Sequence, residues 1–420
     1  MKANVKTLTA ILLLLPLAAG AQAQFSLTGE LRPRTEYRHG FSSLIGQDED
    51  EAFFISQRAR LNFRYGKDEL TFFVSLQDIR VWGEVPQLNR SDINSSIHEA
   101  WGEIRFNPTL SLKLGRQELV YDNARILGNV DWAQHARSHD LALLKWKTGE
   151  RSQLHAGLAF NQESERRVFT TYTLNNYKTM QFLWFNHKTE NTNASLLFLS
   201  NGIQATPAKT VFSQTTGGRI TQKVSGLDLS ASAYIQTGRD GNERDLSAWY
   251  LAAEGAYAFS SAFRGALGFE YLSGTDLADA GNPNATNRSF NPLYGTNHAF
   301  NGHMDYFYVG NHINSVGLVN PYFSAQYTKN KIQLQGFLHL LFADGALYES
   351  GNPTQEMSPY LGTEIDLVMA YTFSPQTSIR TGYSQLLATE SMQRIKGGDH
   401  EELQNWFWVM VVLKPSLWFN

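Results

Sequence analysis

Apolar and polar residues alternate with a period of two along much of this chain. In residues 54–65, one set of alternate positions is apolar and includes Ile55, Leu61 and Phe63. The other set is polar and reads Ser56, Arg58, Arg60, Asn62 and Arg64. Because successive side chains of a β-strand point to opposite faces, this pattern predicts strands with one apolar face and one polar face.

The connections between these segments alternate between short turns, such as residues 66–68 and 106–108, and long irregular stretches. This alternation is typical of an outer-membrane barrel with long external loops and short periplasmic turns. We therefore predict an all-β fold, a transmembrane antiparallel β-barrel of about eighteen strands, with sixteen as the alternative count. The predicted strands are residues 30–38, 54–65, 70–81, 97–106, 110–119, 141–147, 153–162, 179–187, 194–201, 211–223, 227–238, 247–259, 263–273, 322–328, 332–342, 361–373, 378–388 and 405–414.

The first residues have the features of a secretory signal peptide, which we assign to residues 1–23. Lys2 and Lys6 give a basic start, residues 10–17 are apolar, and Ala21-Gln22-Ala23 is a small-residue cleavage signal. Residues 24–420 contain no linker or shift of composition, so they are expected to form a single barrel domain. The chain has no cysteine, which excludes disulfides and thiolate chemistry.

Composition agrees with a membrane barrel. The chain is 42% hydrophobic but has no long apolar run after the signal segment, which argues against transmembrane helices. A formal net charge of −3 gives no support to nucleic-acid binding. The predicted location is the outer membrane of a Gram-negative bacterium, where tryptophans usually lie at the membrane interfaces. The tryptophans expected there are Trp82, Trp101, Trp146, Trp184, Trp249, Trp406 and Trp408.

Arginines on the polar strand faces are the main candidates for function. A carboxylated sugar polymer needs fixed cationic groups, and arginine binds a carboxylate through two parallel hydrogen bonds. The alternative for any single arginine is that it pairs with a glutamate across the strands and stiffens the wall. The predicted substrate-binding residues are Arg32, Arg34, Arg58, Arg60 and Arg64 on two neighbouring strands and Arg105 on a third.

Three further arginines, Arg116, Arg125 and Arg137, are also candidates for substrate binding. Strand parity places Arg116, like Arg80, on the lipid side, so a bulge near Gly115 or a position above the hydrocarbon layer is expected. Arg125 and Arg137 belong to the long segment 121–139. There they either line the conduit or anchor the loop through the carboxylates of Asp122, Asp131 and Asp140.

No catalytic residue, cofactor or metal ion is predicted. His298, His303 and His312 near Asp305 match no ligand spacing, so hydrogen bonding within a loop is favoured over a metal site. Whether calcium binds near Asp276 is left open. No Ser/His/Asp set is recognisable by spacing, so an outer-membrane enzyme such as a lipase is the less favoured alternative.

The run Leu114-Gly115-Arg116-Gln117-Glu118-Leu119 and the residues that follow it up to Asp140 resemble the alginate export family of outer-membrane porins. Similar runs occur at residues 56–61, 76–83, 295–307 and 361–366. The resemblance covers essentially the whole mature chain. It implies an eighteen-stranded barrel whose arginine-rich conduit passes a uronate polysaccharide or oligosaccharide. A general or small-anion nutrient porin is the alternative, and the direction of transport is left open.

The expected partners are outer-membrane lipid, an anionic polysaccharide or oligosaccharide, and the barrel assembly machinery. Periplasmic secretion partners are a further possibility.

The longest irregular segment, residues 274–319, is expected to be a structured loop. In a wide barrel such a loop can fold inward and narrow the lumen.

Overall fold

The computed structural model of the chain describes residues 23–89, 94–168, 170–172, 176–312 and 315–419. The signal peptide predicted for residues 1–23 therefore lies, except for Ala23, outside the described residues. Within these ranges, no helix is long and apolar enough to cross a membrane.

The described chain forms a closed antiparallel β-barrel of eighteen strands, as predicted, in which the short segment Ser416–Phe419 continues the line of the last strand, Gln404–Leu413. A separate two-stranded hairpin consists of β16 (Tyr348–Glu349) and β17 (Asn352–Glu356). The barrel strands are β1 (Gln24–His39), β2 (Ala52–Lys67), β3 (Leu70–Val81), β4 (Ser95–Asn107), β5 (Leu110–Gln117), β6 (His139–Lys147), β7 (Ser152–Phe160), β8 (Thr179–Lys188), β9 (Thr192–Thr206), β10 (Lys209–Val224), β11 (Leu227–Arg239), β12 (Asp245–Ala258), β13 (Phe263–Leu272), β14 (Leu318–Lys329), β15 (Ile332–Phe342), β18 (Tyr360–Ser374), β19 (Thr377–Ala388), β20 (Gln404–Leu413) and β21 (Ser416–Phe419).

The barrel closes where β1 pairs with β2 on one side and with β20 and β21 on the other. Pro33 pairs with Gln57 of β2, but the pairing of β1 with β20 passes from Leu31 directly to Arg34. Proline cannot donate to a strand ladder, so the interruption falls where the donor is missing. The ladder is therefore interrupted at Pro33, at the closing seam of the barrel.

Strand parity separates an apolar outer surface from a polar inner surface. On β2, Leu61 is 43% exposed on the outer side, whereas Arg58 is 0% and Arg60 is 8% exposed on the inner side. Trp82, Trp146 and Trp249 lie exposed on the outer surface, as expected of interface residues. Four other tryptophans do not, because they face inward and are buried: Trp101, Trp184, Trp406 and Trp408.

All of the long connections lie at one end of the barrel, which we call the long-loop end, although only two residues join β9 and β10 there. The other end has short turns, and we call it the short-turn end. A seven-residue helix, α1 (Glu390–Lys396), forms in the connection between β19 and β20. Thr389 caps its N-terminus by accepting a hydrogen bond from the Met392 amide, and Gly397 (φ 71°) ends it. Neither α1 nor the β16–β17 hairpin was predicted from the sequence.

Two connections fold into the barrel and pack against each other. The inner loop is residues 118–138, between β5 and β6, and the long loop is residues 273–317, between β13 and β14. The Gly128 amide of the inner loop donates to the Tyr294 carbonyl (2.8 Å), and the Thr296 amide of the long loop donates to the Ala124 carbonyl (2.8 Å). Their apolar side chains form a buried core within the lumen that includes Leu127, Phe290, Met304 and Tyr306. The inward fold expected of the longest loop is thus present.

Candidate functional site

Five guanidinium groups face the lumen from two adjacent strands, and we call them the arginine ladder: Arg32, Arg34 and Arg38 of β1 with Arg58 and Arg60 of β2. The antiparallel register places Arg32 directly opposite Arg58 and Glu30 opposite Arg60. The two-residue strand period then stacks the side chains along the inner wall. The sequence prediction of one cationic face across two strands is correct in its geometry.

Glutamates of the same wall are bonded to this ladder. Arg58 Nη2 lies 2.6 Å from Glu30 Oε1, and Arg34 Nε lies 2.7 Å from Glu36 Oε1. Glu36, which is 0% exposed, also accepts hydrogen bonds from Arg38 (2.8 Å) and from the Trp406 indole (3.1 Å). The alternative considered from the sequence, in which an arginine pairs with a glutamate of the wall, therefore applies to much of the ladder.

The tip of the inner loop occupies most of the remaining donors. Asp131 Oδ1 lies 2.8 Å from Arg58 Nη2, and Asp131 Oδ2 lies 3.4 Å from Arg32 Nη1. Gln134 Oε1 accepts from Arg32 Nε (3.1 Å), and the Trp132 ring lies 4.2 Å from the Arg34 guanidinium carbon. Burial alone would raise the pKa of the Asp131 carboxyl, but Arg58 and Arg32 hold it below its ordinary value.

Arg60 is the least satisfied member of the ladder. Its Nε donates to Gln77 Oε1 (3.0 Å), its Nη1 lies 3.9 Å from Glu118 Oε1, and its buried Nη2 has no hydrogen-bond partner. Glu118 belongs to a group with His98 and Glu99 in which one ligand atom from each lies within 4.8 Å of the others. Because His98 Nε2 already bonds Glu118 at 2.7 Å and Arg60 lies beside it, this group resembles a hydrogen-bond network more than a metal centre.

Arg64 and Arg105 are placed together near the short-turn end. Both line a cavity of about 590 Å³, together with Ser26 and Thr71. Both are exposed to the lumen, and among the described residues neither forms an ion pair. Arg380, on an inward position of β19, is a further exposed cation that the sequence reasoning did not single out. The polar-face parity of β19 could have identified it.

The three other candidate arginines do not join this group. Arg116 lies on the outer side of β5 and pairs with Asp140 (3.0 Å), both side chains being largely exposed. Gly115 has a positive φ of 117°, so an irregularity exists at the expected place, but it does not turn Arg116 inward. Arg125 bonds Glu270 (3.1 Å) and Arg137 donates to the Gly295 carbonyl (2.7 Å). These two anchor the inner loop, although not through Asp122, Asp131 or Asp140.

A second cluster of ionisable groups lies where the long loop meets the wall. Asp305 of the loop lies near Glu364 and Asp366 of β18, both of which are 0% exposed. His303 Nδ1 lies 3.9 Å from Asp366 Oδ1, and His298 Nδ1 lies 3.9 Å from Asp305 Oδ1. Burial raises the pKa of the Asp305 carboxyl to about 7. We call Asp305, Glu364 and Asp366 the carboxyl cluster.

Of the three histidines considered as metal ligands, His298 and His303 adjoin this cluster, with ring centroids 4.7 Å apart. His298 also stacks on Trp132 with ring centroids 3.9 Å apart. His312 is buried elsewhere, next to Phe307. The structure therefore does not bring the three histidines together around one point.

Comparison with known proteins agrees with this architecture. A family model described as "Alginate export" matches residues 23–404. No curated protein matches the chain in sequence. Among solved structures, Pseudomonas aeruginosa OccK9 (OpdG) has a TM-score of 0.64 at 13% identity and covers 94% of this chain and 98% of its own.

Two other solved structures illustrate the same likeness. Acinetobacter baumannii OccAB1 has a TM-score of 0.63 at 13% identity, covering 94% of this chain and 97% of its own. Pseudomonas aeruginosa OccK2 (OpdF), solved in complex with glucuronate, has a TM-score of 0.61 at 12% identity, covering 94% and 98% respectively. At such identities the likeness concerns the fold alone. The fold and the matched family together place the barrel in the Gram-negative outer membrane, with its short-turn end in the periplasm.

Proposed function

The chain belongs to the alginate export family, and from this premise we propose that it is an outer-membrane channel for anionic, uronate-type polysaccharides or oligosaccharides. The observation that carries the proposal is the carboxylate of Asp131 bound between Arg58 and Arg32 inside the lumen. A sugar carboxylate has the same charge and the same bonding atoms. The ladder therefore already holds the chemical group that a uronate would present.

Asp131 is the partner that a substrate could displace. Its side chain is 49% exposed, whereas the Glu36 side chain is 0% and the Glu30 side chain 10% exposed. A uronate carboxylate that takes the place of Asp131 would keep Arg58 and Arg32 bonded, and the loop tip would move aside. The unpaired Nη2 of Arg60 offers a further donor beside that position.

Arg64 and Arg105 support the proposal from the periplasmic side. They leave cationic groups without carboxylate partners in the cavity at the short-turn end. A charged groove of this kind raises the local concentration of anions at its mouth. The proposal concerns passage and contains no catalytic step. Assembly by the barrel assembly machinery and delivery by periplasmic secretion partners remain predictions.

A small-anion porin is the second candidate, and the packed loops favour it. The inner loop and the long loop form a buried core within the barrel, which leaves less room for a polymer than an open lumen would. OccK2, a barrel of the same fold, was solved with the monomer glucuronate. Comparing the permeation of a monouronate with that of an oligouronate in proteoliposomes would distinguish the two candidates.

The double substitution Arg58→Gln and Arg60→Gln tests the proposal. Charge-assisted hydrogen bonds contribute about 1.5–3 kcal/mol each, so block of the ion current by an oligouronate should require about tenfold or more higher concentration. Arg116→Gln is the matched control, because Arg116 faces outward and pairs with Asp140. Equal block in the double variant and the control would contradict the assignment of the ladder to substrate binding.

A further inference from the structure

The wall of the barrel holds the long loop through buried carboxyl groups. Glu364 Oε1 accepts a hydrogen bond from the Met304 amide (2.7 Å). Gly302 (φ 94°) packs so closely on the same carboxyl group that a Cβ atom there would collide with it. Asp366, two residues further along β18 and on the same inward face, accepts from the Ser384 hydroxyl. The contact between loop and wall is therefore centred on two adjacent acidic side chains.

These acids lack the partners that a buried negative charge needs. Glu364 Oε2, Asp366 Oδ2 and Asp305 Oδ1 are buried and have no hydrogen-bond partner among the described residues. Ionised carboxylates are very unfavourable in such a place, and adjacent ones also repel each other. Because Glu364 and Asp366 are two residues apart on the inward face of β18, one proton held by the pair would remove this repulsion.

The positive charges nearby do not neutralise these carboxyl groups in place of a proton. Arg34 and Arg38 lie nearest to Asp305 but are bonded to Glu36. Burial lowers the pKa of the His298 imidazole well below its ordinary value, so that ring is neutral near pH 7. The charged and titratable groups that face the cluster are His298, His303 and Tyr306 of the long loop, His339 of β15, Glu270 of β13, and Arg34, Glu36 and Arg38 of β1.

A metal ion fits the cluster less well than a proton does. His303 and His339 approach different oxygens of Asp366, at 3.9 and 3.8 Å. Within the described ranges, the group whose ligand atoms all lie within 4.8 Å of one another is His98, Glu99 and Glu118, and not this cluster. The geometry of the cluster therefore does not favour a metal ion.

We propose that Glu364 and Asp366 form a proton-dependent latch for the long loop. With a proton shared between them, the loop stays docked in the lumen. When that proton passes to water, two adjacent negative charges are left buried without full hydrogen bonding, and release of the loop exposes them to water. An acid that is harder to ionise in the docked state favours docking at low pH and loses that effect as the pH rises. Asp305, with its pKa near 7, acts in the same direction, so the latch is tested in an Asp305→Asn background, in which this carboxyl group cannot ionise.

The latch would regulate the channel proposed above and rests on that function, but release of the loop can be measured without transport. Because the chain has no cysteine, Met304→Cys supplies a single thiol, at a position that is 0% exposed in the docked loop. Its rate of labelling by a hydrophilic maleimide is measured from pH 6 to pH 9. Ser350→Cys in the exposed β16–β17 hairpin corrects for ionisation of the thiol itself.

The corrected labelling rate of Met304→Cys should rise by up to about tenfold per pH unit once the latch ionises, because one proton is released on opening. Adding Glu364→Gln and Asp366→Asn, which keep the shape but cannot ionise, should leave the rate low at every pH. Glu254→Gln is the matched control, since this inward carboxyl bonds Tyr322 on the wall and should leave the pH dependence unchanged.

A corrected rate independent of pH, or a rise that persists in the Gln and Asn variant, would overturn the latch. If the double variant does not form a barrel, Asp366→Asn alone should still weaken the pH dependence. Gly302→Ala should displace the loop at all pH values and give fast labelling even at pH 6. Labelling that depends on pH in a barrel without anion conductance would leave the latch standing and remove the proposed channel function.

Discussion

At the scale of single residues, burial decides which partner of the arginine ladder is exchangeable. Removing one member of a fully buried ion pair costs about 3–5 kcal/mol, because an uncompensated charge is left behind. This cost applies to Glu36, because its carboxylate accepts hydrogen bonds from three side chains and is not exposed to solvent. Half-exposed pairs contribute only about 0–1 kcal/mol. Asp131, with half of its side chain exposed, is therefore the carboxylate that leaves most easily.

Asp131→Asn should consequently strengthen substrate binding. The change keeps the shape of the loop tip but removes the charge that competes with a uronate for Arg58 and Arg32. Block of the current by an oligouronate should occur at roughly threefold to tenfold lower concentration, as expected for a difference of about 1 kcal/mol. Asp140→Asn, at the outer surface, serves as the control. Weaker block in Asp131→Asn would mean that Asp131 helps to bind the substrate.

At the scale of elements, the strands could be predicted from the sequence and the loop packing could not. A two-residue period is local, so the inward faces of β1 and β2 follow directly from residues 30–38 and 54–65. Arg58 and Asp131, in contrast, are 73 residues apart, and no local pattern indicates that a loop tip meets that wall. Trp406 and Trp408 were misplaced for the same reason. An aromatic residue on a barrel strand looks the same in the sequence whether it faces lipid or an inserted loop.

Gly128→Ala should loosen the contact between the two inserted loops. A Cβ atom at this position would lie 2.7 Å from the Thr296 backbone nitrogen, so one of the loops must shift. Overpacking of this kind costs about 1–3 kcal/mol. We expect faster tryptic cleavage after Arg125 or Arg137 while the barrel stays folded. Gly149→Ala has open space around it and is the control. The same cleavage rate in both variants would show that the loops do not depend on this close approach.

Deleting residues 297–308 and joining the ends with a short flexible linker should raise single-channel conductance. The deletion removes Met304, Tyr306 and Phe307, which are buried in the core that fills the lumen. A wider aqueous path conducts more ions. Deleting residues 350–351 at the tip of the external hairpin should leave conductance unchanged. A folded deletion variant with wild-type conductance would refute a constricting role for the long loop.

At the scale of the whole molecule, the location of charge matters more than its total. The chain carries 36 basic and 39 acidic residues, so its net charge of −3 would favour cations if charge were spread evenly. The ladder arginines are largely compensated by Glu30, Glu36 and Asp131. Among the described residues, Arg64 and Arg105 face the lumen without carboxylate partners and lie at the periplasmic mouth. That mouth should therefore set the sign of the ion selectivity.

The wild-type channel should favour anions, and Arg64→Gln with Arg105→Gln should shift the reversal potential towards cations more than Arg58→Gln with Arg60→Gln does. Each pair removes two positive charges, but Arg64 and Arg105 are exposed to the permeating ions, whereas Arg58 and Arg60 are buried among bonded groups. Both shifts should shrink between 0.1 M and 1 M salt, because the Debye length falls from about 10 Å to about 3 Å. The reversal potential is measured in a planar bilayer under a salt gradient, with Arg116→Gln as the control.

A cation-selective wild type would leave the barrel fold intact but remove the assignment to anionic saccharides. A larger shift from the ladder pair would place the selectivity filter in the middle of the lumen, because the charges that face the permeating ion would then be those of Arg58 and Arg60.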